Sequence, residues 1–248
     1  MPDLPLASIV TAALVVVLAY TVFGLTGFGS TIVGAPLLAH VLPMRFVVPM
    51  MLVFDLAAGL LLGLRNRGDI DRKELLRLAP FILVGMLVGV TTLVRAPERW
   101  LLGGLGAFVF AYACWSLAQH GAPRPISARW VAPAGIAGGV FTALYGSGGP
   151  IYTTYLARRV GDANRLRATL ATLIFCTAWA RLPLFSASGL MQQPSLLPLA
   201  FLLLPCAVLG YFIGSRLHRR LAPRQAARTL WILLLASGGS LVWRALAM

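Results

Sequence analysis

Apolar residues gather into eight blocks, at about residues 6 to 39, 46 to 64, 75 to 94, 100 to 118, 130 to 157, 168 to 187, 196 to 215 and 226 to 247. Polar and basic residues are largely confined to the stretches between them. A helix needs roughly 20 apolar residues to cross the hydrocarbon core of a bilayer, so this pattern predicts an all-α polytopic membrane protein of about eight transmembrane helices. The first and fifth blocks are too long for simple spans, and glycines interrupt both: Gly24-Leu-Thr-Gly-Phe-Gly-Ser-Thr31 in one, Gly146-Ser-Gly-Gly-Pro150 in the other. Glycine and proline release backbone groups from the helical ladder, and at membrane depth those groups must meet protein or line a cavity. The first and fifth helices are therefore expected to be broken or re-entrant.

The two halves of the chain read as copies. Pro80, Gly85 and Gly89 recur as Pro205, Gly210 and Gly214 at an offset of 125, Gly27 and Gly29 as Gly146 and Gly148 at 119, and Arg45 as Arg165 at 120. Matches in the same order with little drift indicate duplication, with a first four-helix repeat over 1–120 and a second over 121–248 in one integrated membrane domain. An even number of spans per copy predicts that the copies lie parallel in the bilayer.

Composition closes off whole classes of function. The chain is 59% hydrophobic and only 11% charged, with a mean hydropathy of +0.84, whereas soluble domains carry roughly 25% charged residues. A soluble enzyme is excluded. Lys and Arg number 21 against 7 acids, a balance that in a soluble protein would suggest nucleic acid. Here the basic residues sit at the ends of apolar blocks, where they meet lipid headgroups and set orientation, so membrane lipids and not nucleic acid are the expected partner. Over eight spans they divide 12 against 8, which favours both termini outside the cytoplasm. Residues 6 to 23 read as a first span and not as a cleaved signal, since no positive charge precedes them.

Metal and thiol chemistry find no support. Cys114, Cys176 and Cys206 lie inside apolar blocks without CxxC spacing and read as packing residues. His40, His120 and His218 fall in connections or at span ends without HExxH context, so neither a metal nor a cofactor is expected. Asp69, Asp71 and Glu74, interleaved with Arg67, Arg72 and Lys73, read as a solvated, capped turn opening the third helix.

The breaks carry the candidate chemistry. Where a helix restarts, its first N–H groups lack partners and its dipole end is positive, so an oxyanion can be bound by backbone alone. The candidate substrate-binding residues are Gly27, Gly29, Ser30 and Thr31 at the first break and Gly146, Ser147, Gly148 and Gly149 at the second, with Thr153 and Thr154 as further hydroxyls. Close helix packing is the alternative use of these small residues, and it is the expected one for Gly85 with Gly89 and Gly210 with Gly214. Arg181, deep in the sixth span, offers a planar fork suited to sulfite or sulfonate oxygens. Asp55, midway in the second span, is the candidate coupling residue, and a lasting Arg181 to Asp55 ion pair is the competing use of both. Tyr145, Tyr152 and Tyr155 surround the second break as pathway or packing residues.

The glycine-broken first helix, the connection ending Pro43-Met44-Arg45, the charged Arg65-Asn-Arg-Gly-Asp-Ile-Asp71 loop and the return of the arrangement from Gly146 resemble the TauE/SafE family of sulfite exporter-like permeases. The resemblance covers nearly the whole chain. It implies a multi-pass bacterial inner-membrane carrier, not an enzyme, working by alternating access and coupled to an ion gradient, with a proton as one option. The implied substrates are small sulfur-containing anions such as sulfite, sulfoacetate or other organosulfonates, with export as the implied direction. A non-transporting membrane scaffold or assembly factor, or a carrier of unrelated small anions, is the alternative. Small-residue helix faces leave room for a homodimer.

Overall fold

The computed structural model describes residues 5–26, 29–63, 70–118, 125–217 and 223–247, and every regular element among them is helical. In chain order these are α1 (Leu6–Thr26), α2 (Ser30–Leu38), α3 (Met44–Gly63), α4 (Arg72–Arg95), α5 (Glu98–Ala118), α6 (Val131–Tyr145), α7 (Gly149–Leu156), α8 (Ala163–Ala187), α9 (Leu196–Leu217) and α10 (Pro223–Ala247). The long first and fifth apolar blocks are each split in two, at the expected glycines. Polar residues set the other starts: Asp71 caps α4 by accepting the Glu74 N–H at 3.1 Å, and Asp162 caps α8 by accepting the Arg165 N–H at 2.7 Å.

Among the described residues, α1, α4, α5, α8 and α9 are long and apolar enough to cross a bilayer. Only 33% to 44% of their apolar windows is buried inside the protein. Leu76, Leu83 and Leu87 on α4 and Phe201, Leu209 and Phe212 on α9 face outward. So extensive an apolar exterior is suited to lipid and not to water. Cys114 and Cys176 lie on this exterior, so the packing role expected of them is not the one observed, while Cys206 is half-buried and packs against the core as expected.

The closest helix pairs are α4 with α6, α1 with α9 and α5 with α10. Glycines make all three possible, Gly106 and Gly238 serving the last. A Cβ on Gly89 would stand 2.6 Å from the Val140 carbonyl, and the Cα atoms of Gly85 and Gly139 lie across the same contact. At the α1–α9 crossing a Cβ on Gly24 would stand 2.5 Å from the Tyr211 carbonyl and 3.0 Å from the Gly214 Cα, while one on Gly210 would run into the Val17 carbonyl. Backbones can approach this closely only without side chains. The packing role expected for Gly85, Gly89, Gly210 and Gly214 is the one observed.

At each break the chain reverses. Gly29 (φ +92°) and Gly146 (φ +71°) take the left-handed conformation that glycine adopts without steric cost. α2 returns along α1, with Gly34 beside Ala19, and α7 returns along α6, with the Tyr152 ring over Gly138 and its hydroxyl 2.9 Å from Thr142 Oγ1. The far ends of the hairpins are fixed to other elements. Arg244 near the end of α10 donates to the Ala39 carbonyl at 2.6 Å, Gln193 before α9 donates to the Arg45 carbonyl at 2.8 Å, and Arg159 after α7 reaches Glu74 at the start of α4 at 2.8 Å.

Candidate functional site

The two breaks face each other: a Cβ on Gly146 would run into Thr31, 3.1 Å from its Cβ. Between them lies a small cavity of about 30 Å³, lined by Gly29, Ser30, Thr31, Asp55, Thr142, Gly146, Ser147, Gly148, Gly149, Tyr152, Thr177 and Arg181 among others. Gly29, Ser30, Thr31, Gly146, Ser147, Gly148, Gly149 and Arg181 all line it, whereas Thr153 and Thr154 do not. Gly27 lies outside the described residues. The starts of α2 and α7 open onto the space, and neither is capped by a side chain. Their first-turn N–H groups supply the positive dipole ends that oxyanions favour.

Arg181 enters from α8 and is 2% exposed. Its Nη2 donates to Asp55 Oδ2 at 3.1 Å and its Nη1 to the Thr142 carbonyl at 3.4 Å. Its buried Nε has no partner among the described residues. A guanidinium carries five N–H donors, so this one retains donor capacity inside the cavity wall. Asp55, from α3, is also enclosed by donors. Tyr20 (2.8 Å) and Ser30 (3.0 Å) donate to Oδ1, and Thr31 (3.4 Å) to Oδ2 beside Arg181.

That arrangement changes several expected roles. Ser30 and Thr31 use their hydroxyls on Asp55, so their side chains hold the carboxylate. Thr153 and Thr154 donate back to the Gly149 and Pro150 carbonyls of their own helix. Ser147 donates to the Tyr145 carbonyl at 3.2 Å. Gly148 is a glycine for an internal reason, because a Cβ there would strike Thr142 Oγ1 and stand 2.6 Å from the Gly138 carbonyl. Asp55 and Arg181 are paired at 3.1 Å in this structure.

A family model described as "Sulfite exporter TauE/SafE" matches residues 12–241. The chain belongs to the sulfite exporter TauE/SafE family. It is 27% identical over 201 residues to the "probable inner membrane transporter protein TsaS" of Comamonas testosteroni, an alignment covering 79% of this chain and 83% of that protein. No solved structure matches. Family membership and the apolar helices make this a multi-pass membrane transport protein and not an enzyme.

Two features of this TauE/SafE chain escape a linear reading. Tyr20 and Thr142 were not singled out, although each carried a signal. Tyr20 is a hydroxyl-bearing ring well inside an apolar block, away from the interfacial belts where tyrosine gathers, and Thr142 lies one turn before Gly146. The second is Glu74, expected to be solvated. It is buried at 5% exposure and held by Arg159 Nη2 at 2.8 Å, Tyr155 Oη at 2.9 Å and Arg77 Nη1 at 3.0 Å. The correction has a simple cause: Tyr155 and Arg159 come from 81 and 85 positions away. In return, hydrogen bonding to the Glu74 carboxylate holds the Arg159 guanidinium above its ordinary value despite partial burial.

Proposed function

We propose that this protein is a secondary carrier of small sulfur-containing anions, sulfite, sulfoacetate or another organosulfonate. It exports them across the inner membrane by alternating access, with Asp55 linking transport to proton movement. The observation that carries this is the buried Arg181 with its unpartnered Nε, in a cavity walled by two helix starts. A charge at membrane depth costs about 2.5 to 3.5 kcal/mol even on insertion scales, and positive potential with free donors suits an oxyanion. The cavity has room for little more than a water molecule. A sulfonate therefore enters only when the breaks separate, and its oxygens then take the place of the Asp55 carboxylate on Arg181. Protonation of the released Asp55 would keep the charge balanced.

The same proposal includes a topology. Each repeat consists of one re-entrant hairpin, α1–α2 or α6–α7, followed by three crossings, so the copies are inverted and not parallel. Three contacts support it. If α6 with α7 crossed the bilayer as one span, Ala39 would lie on the face opposite Arg244, Arg45 opposite Gln193, and Arg159 opposite Glu74, yet all three pairs are in contact. For α1 with α2 the support is that α1 runs parallel to α9, Val17 beside Gly210 and Gly24 beside Gly214, so that α1 starts on the same face as Gln193 and Arg45. Inversion also sharpens the charge asymmetry. Arg45, Arg95, Arg99 and Arg244 fall on one face and sixteen Lys and Arg on the other, with Arg181 inside. The basic face is then cytoplasmic and both termini lie outside.

The test is uptake of labelled sulfite and of one C2 sulfonate into proteoliposomes, with and without an imposed pH gradient, against protein-free liposomes. Saturable, gradient-driven flux of either supports the carrier. No flux of either by folded, inserted protein overturns the assignment to sulfur oxyanions.

A further inference from the structure

Glu74 belongs to a cluster that the anion site does not use. α7 is eight residues long, and both of its ends are occupied. Its start, Gly149 and Pro150, lines the anion cavity. Its last turn and the turn beyond carry Tyr155 and Arg159, which both hold Glu74 on α4. Arg159 also donates to the Ile126 carbonyl at 3.2 Å, so the segment before α6, the end of α7 and the start of α4 are joined at one point. A tie at that point stops α7 from tilting away from α4. Since Gly146 and Gly148 leave α7 connected to α6 by a short glycine-containing turn, its angle depends on what holds its far end.

The opposite face lacks this tie. At the repeat offsets of 125 and 119, the positions matching Glu74, Arg159 and Tyr155 are Leu199, His40 and Pro36. None of these can form a carboxylate–guanidinium–phenol cluster. That face is held by hydrogen bonds to carbonyls, from Arg244 to Ala39, from Gln193 to Arg45 and from Arg45 to Leu93 and Ala96, and by Glu98 accepting the Met44 N–H at 2.7 Å, with no guanidinium or phenol on that carboxylate among the described residues. The two mouths of an otherwise repeated architecture are closed by different chemistry.

We infer that Glu74, Tyr155 and Arg159 form a lock that closes the anion cavity on the cytoplasmic face, and that its opening frees α7 to swing and admit substrate from that side. This rests on the proposed anion site and topology. Charge-assisted hydrogen bonds are strong enough to hold a gate yet reversible, and a mobile segment held by a few such bonds at one end is a hinge arrangement. Glu74, Tyr155 and Arg159 touch no substrate. They set access to it.

The experiment places a reporter thiol in the cavity wall. Thr177→Cys is made in a background with Cys114→Ala, Cys176→Ala and Cys206→Ala, and an impermeant methanethiosulfonate is applied to inside-out or right-side-out vesicles. Glu74→Gln is expected to raise the labelling rate from the cytoplasmic face by about tenfold, the worth of one hydrogen bond to a charged group, and to leave the rate from the outer face unchanged. Tyr155→Phe, which removes one hydroxyl and keeps the ring, gives the same direction even if Glu74→Gln folds poorly. Arg77→Gln removes only a partner on the surface of α4 itself and leaves both rates alone. Unchanged cytoplasmic labelling in Tyr155→Phe, or an equal rise from both faces, overturns the lock. Protection of the reporter by sulfite tests the anion site separately. Side-specific labelling without protection keeps the lock and removes the anion site, and protection without side-specific labelling removes the lock alone.

Discussion

Arg181 and Asp55 form an ion pair at 3.1 Å although 126 positions separate them, one on α8 and the other on α3. Each is nearly inaccessible, so each is the other's compensation in a low-dielectric interior. Removing one member of a buried pair leaves an uncompensated charge and costs about 3 to 5 kcal/mol. Arg181→Gln is therefore expected to lower thermal stability in detergent and to abolish flux. Adding Asp55→Asn returns most of the stability, because no orphan charge remains, while flux stays absent because the oxyanion has lost its guanidinium. Arg181→Lys does not rescue flux, since an ammonium cannot hold the Thr142 carbonyl and two oxygens of the incoming anion from one planar group. Full flux in Arg181→Gln would take the residue out of the site.

The break glycines differ in what surrounds them, and alanine separates them. At Gly29 an added Cβ meets only Ile32 Cγ2 at 3.4 Å, so the cost is that of a left-handed backbone, about 1 to 2 kcal/mol. Gly29→Ala should express, insert and transport at reduced rate. At Gly148 the backbone is right-handed but the Cβ would strike Thr142 and Gly138. Gly148→Ala is expected to lose both stability and flux, and Thr142→Ala in the same chain to recover part of the stability. Melting temperatures of the three variants in one detergent check the order.

The helix crossings make a similar prediction away from the site. Gly139→Val pushes into the Ile82 carbonyl and Gly214→Val into the Thr21 carbonyl, both rigid backbone, so each should separate a helix pair and prevent folding. Gly239 on α10 has nothing among the described residues within 4 Å of its would-be Cβ. There Gly→Ala is neutral or stabilises by about 0.5 to 1 kcal/mol, as expected for a helix interior. The readout is the monodisperse fraction of each variant on size exclusion.

The elements of this fold were legible because their signals are local. Apolar block length fixed the helices to within a few residues, and Gly29 and Gly146 marked the breaks because left-handed backbone favours glycine. Arg181 and Asp55 stood out because charge is costly at that depth. What could not be read was who meets whom. Ser30 and Thr31 look like ligand donors until Asp55 is found between them and Arg181, and Glu74 looks solvated until Tyr155 and Arg159 arrive from another helix. Direction was also hidden. A helix that turns back at a glycine and one that continues have the same apolar length, so counting blocks does not by itself separate parallel from inverted copies.

That ambiguity has a direct test, since the two topologies disagree on which connections share a face. His40 and Gln192 are exposed and lie in the connections before α3 and α9, while Ser127 and Gly161 lie before α6 and α8. If α2 and α7 turn back, single cysteines at His40 and Gln192 label from the face of the N-terminus, and those at Ser127 and Gly161 from the other. Eight full crossings would instead put His40 opposite Gln192 and Ser127 opposite Gly161. The sixteen to four division of basic residues favours the first outcome, because an asymmetry of that size orients a protein strongly where twelve to eight does not. Labelling with an impermeant maleimide in a cysteine-free background decides it, and His40 labelling from the face opposite Gln192 would remove the inverted repeat and the cytoplasmic assignment of Glu74 together.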